Sequence, residues 1–394
     1  MPISYTTTVT VTGFGAANYG SQLDSLEIVS GSTNGYELPQ PPSARASFLG
    51  LPVVSGVTQT PDWWIGKELT FTITPQGATG TVTWVGIVQS FNCSPVQTTS
   101  TDQIVELDLL GPTSRLSTEI ITNDINLTSI LGSYYWYELA DKLNAQLAKT
   151  AWDEVPIGLT WDDAQGTWDT FTNNNSGLNF INEMEITRKS ISSLDGAGED
   201  MLGFITSRFA NTYRSWFWFD NKDITLYTGA YTTYTQLTSL NAQSCVLWSS
   251  LRSASGFSNI INSAQVTLRG TTTTYDYLDA TSYYAYGARF IDFGTTYDGS
   301  TTRELALADR VNAYDQPTSY LESLTINLDE LTHVTGEWQN FYKSTKPVRL
   351  PLTNIPTAYG GNHTYMVRGV QLNLTNKHAE ATLLVVPSTI YNPS

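Results

Sequence analysis

Threonine and valine alternate from Thr8 to Thr12, and a two-residue period places every second side chain on the same face of a strand. The rhythm returns along the first 118 residues. Ser25–Ser30 and Ser43–Leu49 read as strands on either side of a Gly- and Pro-rich turn segment, Gly31–Pro42. Leu69, Phe71 and Ile73 share one face of a further strand, and Thr70, Thr72 and Thr74 the other. Pro75-Gln76-Gly77-Ala78-Thr79-Gly80 predicts a hairpin loop, and Val82, Trp84 and Gly86 lead the returning strand through Phe91. Val105, Leu107 and Leu109 close the series, with Glu106 and Asp108 between them. Gly111-Pro112-Thr113 ends that strand and Ser114-Arg115-Leu116 begins a short turn. Short strands at this spacing predict a small barrel or sandwich over residues 1–118.

From 119 to 247 the pattern becomes mixed. Trp136, Leu139, Leu143 and Leu147 form a helical stripe within Tyr134–Thr150. Trp161–Phe171 reads as loop or hairpin, and Leu178–Ile186 as extended. Leu202, Ile205 and Phe209 predict a helix over Asp195–Ala210, with Ser193 or Asp195 as its cap and Gly203 as a weak point inside it. Arg214–Phe219, the turn Asp220-Asn221-Lys222-Asp223 and Ile224–Tyr227 form a hairpin pattern.

From 248 to 394 strands return. Ile260–Leu268 and Tyr283–Phe293 are predicted strands, the second with Gly287 inside it. Leu307, Val311 and Tyr314 recur at helical spacing before the stop at Pro317, and Leu324, Ile326 and Leu328 then alternate as a strand. Pro347–Pro351 is extended, and Met366–Leu374 pairs with Ala381–Val386 across Asn376-Lys377-His378. The expected fold class is mainly β with an α+β middle. Two barrel-like β-modules, 1–118 and 248–394, flank a mixed α/β region, 119–247, and the second module carries one helix.

Charge narrows the function classes. There are 20 Lys+Arg against 36 Asp+Glu, a net charge of -16. Such a chain has no overall field that draws a phosphate backbone, which argues against a sequence-reading nucleic-acid binder. No run approaches the ~20 apolar residues needed to span a bilayer, and Met1–Ser21 lacks the basic start and apolar core of a secretory signal. Cys93 and Cys245 are too few for a disulfide framework and are expected as separate thiols. His333, His363 and His378 have no paired-ligand spacing, so neither a metal nor a cofactor is expected.

Three blocks, in order, carry a resemblance. They are Thr83–Val88 with Gln103–Leu110 and Gly111–Leu116; Gly198–Ala210 with the aromatic hairpin Trp216–Tyr227; and Tyr286-Gly287-Ala288-Arg289 through Leu328 with Val367–Val386. The helix–Pro–strand unit Arg303–Asp329 lies within the third. Together they resemble the bacteriophage tail hub and minor tail proteins of siphophages, particularly those of actinobacterial phages. One departure is Ala379-Glu380-Ala381, where the family pattern leads to an aromatic before the last strand. The resemblance implies a structural virion protein at the distal tail tip, with no enzymatic role. It implies a homotrimer whose two barrels per chain make a pseudo-sixfold ring. The implied partners are the tail tube, other distal tail proteins, tail fibre or tip proteins, and viral DNA in passage; no membrane insertion is implied. In a bacterial virus the sequons at Asn126, Asn362 and Asn373 carry no glycan.

An extracellular glycan-binding β-protein or a glycoside hydrolase is the competing class. Glu183 and Glu185 are two residues apart on one predicted strand, and paired carboxylates serve glycoside hydrolysis; Arg188-Lys189 nearby favours simple ion pairing. Asp162-Asp163 and Asp220-Asn221-Lys222-Asp223 lack the spaced oxygens of a calcium loop and read as turns. Trp63-Trp64 and Tyr134-Tyr135-Trp136-Tyr137 read as core or interface aromatics. Gly13-Phe14-Gly15 has no strand–helix context for a nucleotide. No catalytic residue is assigned. If the chains ring a DNA channel, Glu106 and Asp108 are candidates for an acidic lumen.

Overall fold

The computed structural model describes residues 5–14, 18–32, 39–75, 81–96, 103–121, 125–126, 179–184, 193–194, 197–205, 215–221, 223–228, 235–236, 240–241, 246–254, 260–268, 274–296, 320–330, 348–359, 361–375 and 378–387. The strands are β1 (Tyr5–Val11), β2 (Leu23–Gly31), β3 (Gln40–Leu49), β4 (Val53–Val54), β5 (Val57–Thr58), β6 (Glu68–Pro75), β7 (Val82–Pro95) and β8 (Gln103–Leu110). They continue with β9 (Ile125–Asn126), β10 (Asn179–Met184), β11 (Ser193–Leu194), β12 (Ser215–Asp220), β13 (Asp223–Thr228), β14 (Thr235–Gln236) and β15 (Leu240–Asn241). The last are β16 (Arg252–Ala254), β17 (Ser263–Leu268), β18 (Thr274–Leu278), β19 (Phe290–Thr296), β20 (Tyr320–Asn327), β21 (Val348–Thr353), β22 (His363–Thr375) and β23 (Ala379–Pro387). Among the described residues two short α-helices occur, α1 (Met201–Ile205) and α2 (Ala280–Tyr286). The predicted elements at 134–150, 161–171 and 303–317 lie outside the described residues. The chain is mainly β, as its alternating pattern predicts.

Thirteen strands form one sheet, in the order β1-β6-β7-β8-β3-β2-β22-β23-β20-β16, with β21 beside β22 and β14 and β15 beside β21. The alternation explains its two faces. Val105, Leu107 and Leu109 are buried while Glu106 and Asp108 face outward. Leu26 and Ile28 of β2, Ala46 and Phe48 of β3, Phe71 and Ile73 of β6 and Leu372 and Leu374 of β22 join the same core. Ala379 and Ala381, at the departure from the family pattern, stand opposite Leu374 and Leu372 and are fully buried. At both positions a small residue faces a large one.

β22 ties the ends of the chain together. Its first part pairs with β21 on one side (Arg349 opposite Met366), and its second part pairs there with β2 (Ser25–Gly31 opposite Thr375–Gly369). β23 runs along its other side, with a register shift between Val367 and Gly369. The bulge thus sits where β22 changes partner.

Asparagines occupy two open edges. On the end strand β1, the Val9 N–H donates to Asn18 Oδ1 (2.9 Å) and the Val9 carbonyl accepts from the Tyr19 N–H (2.8 Å). On β7, β6 covers Val82–Ile87 and β8 covers Ile87–Pro95. The edge this leaves is taken by Asn221, which accepts from the Val85 N–H (2.8 Å) and donates to the Thr83 carbonyl (2.9 Å). An occupied edge cannot template a foreign strand.

Smaller sheets complete the fold: β10-β13-β12, β18-β17-β19, β11-β9 and β4-β5. The aromatic hairpin forms as predicted, with Asp220 opposite Asp223 at its turn. Two expectations change. Of the helix predicted over Asp195–Ala210, the described residues show only Met201–Ile205, with Asp200 Oδ1 accepting from the Gly203 N–H at its start. The strand predicted over Tyr283–Phe293 is instead helix α2 followed by β19. Asp279 caps α2 by accepting from the Ser282 N–H (2.7 Å), and Gly287, at φ +76°, ends it.

Candidate functional site

The outward face of the large sheet carries a polar row that crosses seven strands. The register aligns Ser90 (β7), Asp108 (β8), Arg45 (β3), Glu27 (β2), Asn373 (β22), Glu380 (β23) and Asn327 (β20). A second row beside it holds Asn92, Glu106, Ser47, Ser25 and Thr375. These two rows hold four carboxylates, Glu27, Glu106, Asp108 and Glu380, and one cation, Arg45. Asp108 accepts from the Ser90 hydroxyl (2.8 Å) and Arg45 Nε (3.1 Å), and these bonds hold its carboxyl below the usual range. Glu27 accepts from Gln371 Nε2 (2.7 Å), joining residues 344 apart in the chain. The face is therefore polar and net acidic, and it runs unbroken from the first predicted module into the last.

Behind it lies a tight crossing of three chain segments. Gly31, at φ +90°, stands opposite Gly369, and the Ser32 N–H donates to the Arg368 carbonyl (2.9 Å). A Cβ on Gly31 would collide with the Arg368 carbonyl oxygen, Trp218 Cη2 and Gly369 Cα; one on Gly369 would collide with the Ser32 carbonyl. Trp218, buried in the aromatic hairpin, closes over this point. Together with Asn221 it locks the middle hairpin onto the sheet.

No protein-family model and no curated protein sequence matches this chain. Solved structures share its fold end to end. A tail protein from Neisseria meningitidis MC58 superposes with a TM-score of 0.54 at 12% identity, covering 99% of this chain and 98% of that one. The 43 kDa tail protein of prophage MuSo2 from Shewanella oneidensis gives 0.57 at 11%, covering 98% and 99%. The chain shares the fold of these two tail proteins.

On this fold the sequence candidates are scattered. Glu183 lies on β10, paired in register with Tyr227, while Glu185 lies outside the described residues. Asp162, Asp163, Tyr134–Tyr137, Arg188, Lys189, His333 and Cys245 also lie outside them. Asp220 and Asn221 form the hairpin turn at the crossing. Trp64 is fully buried, stacked on Phe48 (ring centroids 5.2 Å) and edge-on to Trp63 (5.1 Å). Phe14 meets Trp63 edge-on (5.0 Å), with the Lys67 ammonium 4.7 Å from the Phe14 ring. Gly13-Phe14 forms a turn after β1, with the Phe14 N–H bonded to the Val11 carbonyl (3.2 Å). Cys93 is a free thiol, 3.0 Å from Gln103 Oε1. Among the described residues no group of three or more His, Cys, Asp or Glu is placed to hold a metal. Sequence reasoning found Glu106 and Asp108 but missed Glu27, Arg45 and Glu380 as their row neighbours. Strand pairing between residue 27 and residue 373 leaves no local signal. It also missed Asn18 and Asn221 as edge plugs, since each reads as an ordinary turn residue.

Proposed function

We propose that this chain is a structural tail protein of a phage-type particle, acting as the hub at the distal end of the tail tube. The end-to-end likeness to two tail proteins, each covered over nearly its whole length, carries this reading. In this reading three copies form a ring, with residues 1–118 and 248–394 as its two β-modules and 119–247 as the middle domain. The continuous sheet across both modules supports such a ring, because a shared sheet fixes the angle between them. The ring joins the tail tube to the distal tail and tip proteins and lets DNA pass. The polar face bearing Glu27, Glu106, Asp108 and Glu380 then lines the channel, where carboxylates repel the phosphate backbone instead of trapping it. No catalytic role is assigned, and among the described residues no helix is long and apolar enough to cross a membrane.

The test has two readouts. Light scattering and negative-stain microscopy of the purified chain should give a threefold ring; a monomer at micromolar concentration argues against it. Gold-labelled antibody against the chain should mark the end of the tail distal to the head, and label along the shaft or on the head would reject the hub position. Superposing 1–118 on 248–394 tests the duplicated module, and unrelated strand orders would remove it.

A further inference from the structure

His378 sits in the turn that joins β22 to β23, and both of its ring nitrogens face carboxylates. Nδ1 meets Asp329 Oδ2, and Nε2 lies 2.6 Å from Glu380 Oε1. Asp329 comes from the single 3-10 turn that ends β20, Leu328–Glu330, and its other oxygen accepts from the Ala379 N–H (3.2 Å). Glu380 comes from β23 itself. From β1, Tyr5 is close enough that burial first, and then the Asp329 charge, oppose its ionisation. From β22, Thr375 contributes only a hydroxyl and an amide, both bonded to the His378 carbonyl (3.2 and 2.8 Å).

Ionised carboxylates accept hydrogen bonds and cannot donate them; a neutral imidazole has one N–H. Two carboxylates on two ring nitrogens are both satisfied only by the imidazolium. We propose that His378 is a proton-operated clasp, fastening the β22–β23 turn to the end of β20 while it is charged and loosening it when it loses its proton. The bonds from Glu380 and Asp329 also raise the His378 pKa above the ordinary histidine value. The sign follows. A group whose folded pKa is raised stabilises fully below its unfolded pKa, near 6.5, and that contribution is lost as pH rises through the folded value. The clasp is therefore shut below about pH 6.5 and opens as pH rises through the raised folded value.

Hydrogen exchange of the full chain, read by mass spectrometry on the peptide spanning 378–387 and corrected for intrinsic exchange, tests this between pH 6 and pH 9. In the wild type, protection of this peptide should be highest at the acid end and lost toward the alkaline end. His378→Asn should be poorly protected throughout and insensitive to pH. Glu380→Gln keeps an acceptor but removes one charge, and should move the loss of protection to lower pH. The His378 ring-proton resonance, identified by its absence in His378→Asn, should titrate above the other histidines. Should His378→Asn not fold, Glu380→Gln and the wild-type titration decide alone. The same pH dependence in either variant as in the wild type, or a His378 resonance that titrates at or below the ordinary value, overturns the clasp.

Discussion

Gly31 and Gly50 make a controlled pair for testing the crossing. Their φ angles are +90° and +89°, so adding a Cβ strains both backbones alike, by about 1–2 kcal/mol. Their surroundings differ. A Cβ on Gly50 meets nothing within 4 Å, whereas one on Gly31 lands 2.7 Å from Trp218 Cη2, 2.8 Å from Gly369 Cα and against the Arg368 carbonyl oxygen. Two of those three obstacles are backbone on the far side of a strand pair and cannot rotate away. Forcing an extra methyl into a packed core adds about 1–3 kcal/mol. Gly50→Ala should therefore lose about 1–2 kcal/mol, and Gly31→Ala about 2–5 kcal/mol. With an m-value of about 3 kcal/mol/M, these correspond to falls in the urea midpoint of roughly 0.3–0.7 M and 0.7–1.7 M. Tryptophan fluorescence, summed over the chain's eleven tryptophans, reads the transition. Equal midpoints for the two variants would refute the reasoning, because backbone strain alone would then account for both and the three segments would not be in contact.

Asn221→Gly preserves the residue's left-handed backbone (φ +49°) but deletes its bonds to Val85 and Thr83; a loss of about 1–3 kcal/mol with faster hydrogen exchange at the Val85 amide is expected. Asp279→Ala removes the cap of α2 and should cost about 0.5–2 kcal/mol, seen as faster exchange in a peptide covering 280–287 with no change at β22. Arg45→Ala should leave neutral-pH stability nearly unchanged, since the pair it forms with Asp108 is more than half exposed and screened by solvent. Because the Asp108 carboxyl is depressed, its contribution is present at neutral pH and lost as pH falls through its folded value. Thermal melts of wild type and Arg45→Ala should therefore converge as pH falls through that value.

Local pattern was legible in proportion to how far each strand's two faces differ. From Val105 to Leu110, β8 alternates buried and exposed residues, and Val105, Leu107 and Leu109 were readable as core. The β22–β23 hairpin and the β12–β13 hairpin were legible because their turns are short and flanked by apolar runs. Tyr283–Phe293 misled because tyrosines favour strands, while the deciding signals were the Asp279 cap and the Gly287 stop, each a single residue. The union of β2 with β22 had no trace in the letters. Both strands have ordinary alternation, and nothing in residues 25–31 points to 369–375. The acidic face shared this fate: its members come from β2, β3, β8 and β23, and only the strand order puts them in line.

The pairing of β2 with β22 also sets a timetable for synthesis. At about 5–20 residues per second, the 344 residues separating Glu27 from Gln371 take on the order of 17–70 s to appear. Throughout that interval β2 has β3 on one side and an unfilled hydrogen-bonding edge on the other. The nascent first module must stay soluble with that edge bare, in a cell making many copies at once. Crowded expression should therefore fail at this strand first. Supplying a peptide of residues 363–387 to a truncated 1–118 fragment should improve its yield of soluble protein, by giving β2 early the neighbour it otherwise awaits.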